Sequence, residues 1–235
     1  FFMIINKNMY VTILLCTYNG DLFLQEQLES IERQTVKNWK LIISDDGSID
    51  NTIKIIKKFQ MKWSNKKVQI RYGPKDGYAA NFLSLMMDPG IQNDFFAFCD
   101  QDDIWFPEKL ERAISLLQKN KKVPSLYGSK SIYINAIGKI ISLSPYFKGC
   151  KDISNALIQN FAGGNTMVFN QKAKKSIERF NVRKIISHDW WAYIVICSVN
   201  GKIIYDEKPY IYYRQHNDNV IGGKVSFLSK NYKLL

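Results

Sequence analysis

The chain has 235 residues, 46% hydrophobic and 23% charged, enough to bury one substantial core and too apolar for intrinsic disorder. Its 33 Lys and Arg against 21 Asp and Glu leave a formal net charge of +12, which attracts phosphorylated substrates, anionic lipid or nucleic acid without distinguishing among them. No apolar run approaches the roughly 20 residues of a membrane span. The N-terminal "FFMIINKNMYV", with candidate starts at Met3 and Met9, lacks the basic-apolar-small order of a secretion signal.

In chain order, "YVTILLCTYN" is a continuous β-rich apolar run, "LFLQEQLESIERQ" has helical spacing, and "WKLIISDDGS" is a second buried strand ending in acids. Then come "NTIKIIKKFQMKW" as helix, "KVQIRYG" as strand, "AANFLSLMMD" as helix, "DFFAFCDQDD" as strand and "PEKLERAISLLQKN" as helix. This alternation predicts an α/β fold, a mostly parallel sheet with helices on both faces. The second half is less regular. "SLYGSKSIYIN" and "GKIISLS" read as antiparallel strands joined through Gly138, and "FAGGNTMVFN" as a Gly163-Gly164 turn before a strand. "SHDWWAYIVICSVNG" reads as a helix stopped at Gly201, and "KIIYDEKPYIYYRQH" as strand material. With no repeat or linker, one domain is expected over 9–223, divided into a nucleotide half (9–106) and an acceptor half (107–223).

Cys16, Cys99, Cys150 and Cys197 form no CxxC pair, and two of them sit in apolar runs. Reduced thiols, a cytoplasmic setting and no zinc are expected. Three strands end in polar tips, "CTYNG", "SDDGS" and "DQDD". Ligands of open α/β sheets bind at the carboxyl ends of strands, so these tips predict one crevice with a nucleotide in it.

The densest of the tips is "FAFCDQDDIWFPEKL", where Asp100, Asp102 and Asp103 crowd together in a basic chain. One carboxylate suffices for a turn or cap, and the next helix has its own start in Pro107 and Glu108. Like charges this close suppress each other's ionisation unless a cation compensates. An Asp-x-Asp pair at a strand end therefore points to Mg²⁺ or Mn²⁺ shared with a diphosphate, with the turn as the alternative.

Taken in order, "VTILLCTYNG", "QTVKNWKLIISDDGSIDNT", "DQDDIWFPEKL", "SHDWW" and "YRQHNDNVIGG" resemble the family-2 inverting glycosyltransferases of GT-A fold over nearly the whole chain. "DQDDIW" with "HDWW" and "YRQHNDNV" is most similar to bacterial rhamnosyltransferases of cell-wall and capsular polysaccharide. The resemblance implies a Rossmann-like sheet with a smaller antiparallel element on the acceptor side. It also implies Mn²⁺- or Mg²⁺-dependent transfer of a sugar, rhamnose from dTDP-rhamnose or else a UDP-hexose, to a glycan or lipid-linked acceptor. The place of action would be the cytoplasm or the inner face of the membrane.

Position by position, the resemblance implies that Thr17, Tyr18 and Asn19 touch base and ribose, and that Asp46, beside Asp45, accepts from the pyrimidine N–H. Asp100 falls near ribose and diphosphate, Asp102 on the metal, Asp189 at the general base, and His216 near metal or diphosphate. Gly77, Asn81, Gly164, Asn165 and Trp190 are expected at the substrate, Arg214 at a phosphate, and Asp103 is expected to be more dispensable than Asp102.

Plainer readings stay open. Tyr18 suits a core aromatic, and Asp45 and Asp46 suit a turn before a helix capped by Ser48 or Asp50. Gly77 and Asn81 suit a turn and a cap, His188 and Asp189 a helix start, Trp190 and Trp191 packing, and His216 a structural role. A nucleic-acid-binding protein competes on charge, but the basic residues are spread rather than gathered on a motif, and no nucleic-acid partner is expected. A carbohydrate-binding protein without catalysis would have little use for both Asp102 and Asp189. The basic, amphipathic segment 224–235, "KVSFLSKNYKLL", suits an anionic membrane surface or packing on the body.

Overall fold

The computed structural model describes residues 9–219 apart from 65, 181, 183, 217 and 218, so the segment 224–235 lies outside the described residues. Eleven strands and seven α-helices follow in the order β1 (Val11–Thr17), α1 (Leu24–Glu32), β2 (Trp39–Asp45), α2 (Thr52–Trp63), β3 (Val68–Tyr72), α3 (Gly77–Met86), β4 (Phe95–Cys99), β5 (Ile104–Trp105), α4 (Lys109–Leu117), β6 (Ser125–Ser129), β7 (Ile132–Asn135), β8 (Ile140–Leu143), α5 (Ile153–Ala156), β9 (Val168–Asn170), α6 (Gln171–Glu178), α7 (His188–Ser198), β10 (Lys202–Asp206) and β11 (Ile211–Gln215) among the described residues.

The main sheet has seven strands in the order β10-β6-β9-β4-β1-β2-β3. Every pair is parallel except those of β9, which runs antiparallel to both β4 and β6. The sheet thus takes strands from both halves of the chain. β1 supplies the alternation that builds two cores: Val11, Ile13 and Leu15 face α1, α2 and α4, whereas Leu14 and Cys16 face α3, α6 and α7. All five are nearly inaccessible, each such side chain contributing about 1.5–3 kcal/mol.

From β1 the chain winds outward through β2 and β3, then returns to place β4 on the other side of β1. This reversal opens a crevice at the carboxyl ends of β1, β2 and β4, where the three polar tips meet as expected. A second sheet, β5-β11-β7-β8, closes the far side. It is mixed rather than purely antiparallel, since β11 pairs parallel with β7. The stretches "SLYGSKSIYIN" and "KIIYDEKPYIYYRQH" each divide between the two sheets, and Gly138 (φ 82°) makes the β7–β8 turn. The helix predicted from Pro107 begins at Lys109. No helix among the described residues is long and apolar enough to cross a membrane.

α7 ends at Ser198 and Asn200 (φ 53°) turns the chain, so the expected stop, Gly201, instead leads into β10. The Gly201 N–H donates to the Ile196 carbonyl, and an added Cβ would lie 2.7 Å from the Pro124 carbonyl oxygen and 2.8 Å from that of Ile196. Because both obstacles are backbone, Gly201→Ala should destabilise the protein by about 1–3 kcal/mol, read as a lower urea midpoint at unchanged slope.

Candidate active site

The tips of β1 and β2 are locked to each other and to the acidic loop. Asn19, in the left-handed region at φ 45°, accepts from the Ile49 N–H (2.9 Å), and its own N–H donates to Ser48 Oγ (2.9 Å). The Tyr18 N–H donates to Gln101 Oε1 (2.9 Å) while Gln101 Nε2 returns a bond to the Tyr18 carbonyl (3.0 Å). A Cβ at position 20 would come within 2.3 Å of Gln101 Oε1, so a larger residue there would push that side chain off Tyr18. Tyr18 is exposed on this platform rather than in the core.

The two acids of "SDDGS" divide their work. Asp45 takes the turn: its carboxylate accepts from Thr17 Oγ1 (2.8 Å), Ser48 Oγ (2.6 Å) and the N–H groups of Gly47 (3.1 Å) and Ser48 (2.9 Å). Asp50 holds the following helix start through the Thr52 N–H (2.9 Å). Asp46 lines the cleft and fixes the facing loop, accepting from the N–H groups of Lys75 (2.7 Å) and Gly77 (3.0 Å). Gly77 is the expected turn residue, at φ 85°. Asn81 is not a cap. It lies inside α3, donates from Nδ2 to the Ser44 carbonyl (2.9 Å), and keeps a buried Oδ1 without a partner.

These tips open into a cleft of 1730 Å³. It brings together Thr17, Tyr18, Asn19, Asp46, Gly77, Asn81, Asp100, Asp102, Gly164, Asn165, Asp189 and His216, and leaves Asp45, Trp190 and Arg214 off its lining. Arg214, expected at a phosphate, is instead buried structure. Its guanidinium donates from each of its three nitrogens, to Glu26 (2.5 Å) and to the carbonyls of Asp102 (3.0 Å) and Ala136 (2.8 Å). Trp190 packs on the second core with its indole N–H on the Ala156 carbonyl (2.6 Å).

The acidic cluster separates into three roles. Asp102 Oδ2 pairs with His216 Nε2 at 2.9 Å, at the cleft lining. Asp100 is pushed up to about 8, by burial first and then by the Asp102 and Asp189 carboxylates. Asp103, expected to matter less than Asp102 to metal binding and turnover, is fully buried and joins two separate segments, accepting from Asn165 Nδ2 (2.7 Å) and from the Arg214 N–H (3.1 Å). Burial and the Asp102 and Asp100 carboxylates also push Asp103 well above the usual carboxylate range. Beneath them lies the buried ammonium of Lys109, 3.7 Å from the Trp105 ring centroid and pulled down to about 8 by burial.

At the other end, Asp189 opens α7 with its carboxylate fully engaged. Asn160 Nδ2 (2.9 Å), the Gly164 N–H (2.9 Å), the Trp190 N–H (2.7 Å) and the Ser187 hydroxyl all donate to it. These bonds hold the carboxylate in one orientation at the cleft lining. His188 stacks on Phe82 (3.8 Å between centroids) beneath the Gly164 turn, and burial pulls its imidazole down to about 4 against the opposing effect of Asp189. Gln101, Asn160 and Asp103 carry much of this geometry and were not picked out from the sequence. Only for Asp103 was there a signal, the third acid of the cluster.

Asp103 therefore predicts a specific pattern of loss and recovery. Asp103→Ala strands two buried donors, at about 1–3 kcal/mol each. In the double exchange Asp103→Asn with Asn165→Asp, the amide donates to the new carboxylate and still accepts from Arg214. Thermal melts should show each single change destabilising and the pair recovering most of the loss.

The architecture agrees with comparison to known proteins. The sequence profile of Glycosyl transferase family 2 matches residues 12–176. A Shigella flexneri protein named dTDP-rhamnosyl transferase RfbG is 32% identical over 235 residues, 94% of this chain and 78% of the relative. The Escherichia coli protein WfgD, named a UDP-Glc:alpha-D-GlcNAc-diphosphoundecaprenol beta-1,3-glucosyltransferase, is 33% identical over 134 residues, 56% of this chain and 51% of its own length. Among solved structures, Staphylococcus aureus TarS 1-349 in complex with UDP-GlcNAc superposes with a TM-score of 0.68 at 17% identity, over 90% of this chain and 60% of that one. The mannosyltransferase PcManGT of Pyrobaculum calidifontis, in complex with GDP-Man and Mn²⁺, gives 0.58 at 14% identity, over 86% of this chain and 55% of that one. The chain has the GT-A fold and belongs to the family-2 glycosyltransferases.

Proposed function

We propose that the protein transfers a sugar, with inversion, from a pyrimidine nucleoside diphosphate to a hydroxyl of a glycan or lipid-linked acceptor in bacterial surface-polysaccharide synthesis. The observation that carries this reading is the cleft itself, with the Asp102–His216 pair at one end and the oriented Asp189 carboxylate at the other. Rhamnose from dTDP-rhamnose is the donor favoured by the extent of the likeness to RfbG, which covers 94% of the chain. The cytoplasmic face of the membrane is the proposed place of action.

In this reading the base and ribose lie against Thr17, Tyr18 and Asn19, with Asp46 as acceptor for the ring N–H. Each carboxylate oxygen of Asp46 accepts one backbone bond, and each has a second lone pair to give. The donor set suits a hard divalent cation, Mg²⁺ or Mn²⁺. Among the described residues no group of three His, Cys, Asp or Glu side chains would hold a metal alone, but such ions take one or two carboxylates and complete their shell with phosphate oxygens and water. Asp102, with His216 beside it, would hold the ion, which when bound neutralises charge on the leaving diphosphate. Asp100 and Asp103 are raised by burial first and by the Asp102 carboxylate next, and a cation at Asp102 would relieve that second part.

Asp189 takes the proton of the acceptor hydroxyl as that oxygen attacks the anomeric carbon. Its four donors fill both oxygens, so one of the side-chain donors, Asn160 or Ser187, turns away to free the lone pair that takes the acceptor's proton. Attack from the face opposite the leaving diphosphate inverts the configuration, through a transition state with oxocarbenium character.

Two measurements test the reading. Thermal melts with Mg²⁺ or Mn²⁺ should show stabilisation by dTDP or UDP, whereas stabilisation by purine nucleotides alone would overturn the base assignment. Product formation from dTDP-rhamnose and from UDP-hexoses, run side by side, identifies the donor. Asp189→Asn should keep the nucleotide-induced shift in melting temperature while turnover falls by roughly a hundred- to ten-thousand-fold. Turnover near wild type in that variant would require another base.

A further inference from the structure

The β1 tip and the acidic loop meet along a seam where backbone pairing has already ended. β1 pairs with β2 as far as Thr17↔Asp45, and the Asp46 N–H adds a bond to the Thr17 carbonyl (2.8 Å), but on the other side the pairing of β1 with β4 stops at Leu15↔Cys99. Gln101 takes up the pairing with its side chain. Oε1 accepts from the Tyr18 N–H (2.9 Å) and Nε2 donates to the Tyr18 carbonyl (3.0 Å), so one amide meets both backbone groups of one residue. A side-chain amide offers N–H and C=O together, as a facing strand residue does, which a carboxylate or an alkyl chain cannot.

The two segments are anchored in different places. The tip is tied to the β2 side, through Asn19 on Ser48 and Ile49 and through the Gly20 N–H, which donates to Thr52 Oγ1 (2.8 Å). The acidic loop is tied to the second half of the chain, through Asp103 on Asn165 and the Arg214 N–H and through Asp102 on His216. Gln101 stands between Asp100 and Asp102 and lines the cleft with them and with Tyr18 and Asn19. Its two bonds therefore join a tip held by one set of contacts to a loop held by another. The same side chain sets the clearance at the seam: a Cβ on Gly20 would lie 2.3 Å from Gln101 Oε1 and 2.4 Å from its Cδ, although Gly20 is outside the positive-φ region that demands glycine.

We infer that Gln101 is a positioning residue that sets the spacing between the surface proposed for base and ribose and the acids proposed for metal and diphosphate, so that one nucleoside diphosphate engages both at once. The inference rests on the proposed nucleotide donor for the identity of that ligand. A ligand that spans two subsites gains from both only when their separation matches its own, and a seam free to open loses that gain while each subsite still binds alone. The two bonds are exposed to solvent, so their loss costs the fold little and falls on the geometry of the ligand instead.

NMR titrations of the full chain in Mg²⁺ separate the spanning ligand from its parts, with thymidine for the nucleoside end, inorganic pyrophosphate for the other, and dTDP for both. Gln101→Ala should weaken dTDP about tenfold and change thymidine and pyrophosphate by less than about twofold, with little change in melting temperature. Gly20→Ala, whose new Cβ displaces the Gln101 amide without altering it, should reproduce the pattern. Added to Gln101→Ala it should weaken dTDP no further, because the side chain it displaces is gone. Where one single variant fails to fold, the other supplies the comparison. Equal weakening of dTDP and of either part would make Gln101 a local support and overturn the inference, as would undiminished dTDP binding or additive losses in the double variant. Uridine with UDP and guanosine with GDP run alongside. Binding confined to the guanine pair would sink the proposed pyrimidine reading, and the comparison of guanosine with GDP would still decide the role of Gln101. No binding of any nucleoside diphosphate to the native chain would overturn both.

Discussion

Asp103 sets the separation between the two working ends of the cleft. Its two oxygens hold Asn165 and the backbone of Arg214, and from those points short covalent paths lead outward. Asn165 is adjacent to Gly164, whose N–H orients Asp189. Arg214 stands two residues before His216, which pairs with Asp102. A side chain with no exposure thus connects the Asp102 end of the cleft to the Asp189 end. Such a network is worth most when every member is satisfied, and loses most when one is removed.

Around that link the protein arranges charge by compartment. A basic chain gathers several of its carboxylates into one cleft end, where burial and their neighbours raise the affinity of Asp100 and Asp103 for protons. Lys109 and Arg214 are buried behind them, offsetting part of the repulsion from a direction the substrate does not reach. Neither needs to touch a ligand to matter. The cluster therefore keeps like charges together that the fold alone does not fully offset, the kind of perturbed constellation that marks a functional site.

The sequence revealed what local pattern encodes. The β-rich runs, the helical spacing and the polar tips are properties of ten or fifteen neighbours, and they located β1, β2, β4 and α7 and the crevice between them. What it hid depends on distance along the chain. Arg214 looked like a free cation because its partners, Glu26 at 188 positions away and Asp102 at 112, are invisible to any window. Asp103 looked redundant beside Asp102 for the same reason, its partners lying 62 and 111 positions away. Asp45 and Asp46 are adjacent and chemically identical, yet one faces a turn and the other the cleft. The division of the second half between two sheets followed from pairing that no alternation could specify.

The antiparallel strand β9 stitches the two halves of the main sheet, and its lateness in the chain shapes how the protein must be made. β4, the five apolar residues Phe95–Cys99, gains its outer neighbour only when Val168–Asn170 arrives. From Ala97 to Asn170 is about 70 residues, roughly 4–15 s of synthesis at typical rates of roughly 5–20 residues per second. For that interval the nascent chain presents an unpaired edge of phenylalanine-rich strand, the kind of template on which neighbouring chains pair. Yield in a cell will depend on what shields that edge on the ribosome, and slower translation past Cys99 will lengthen the exposure rather than help the fold.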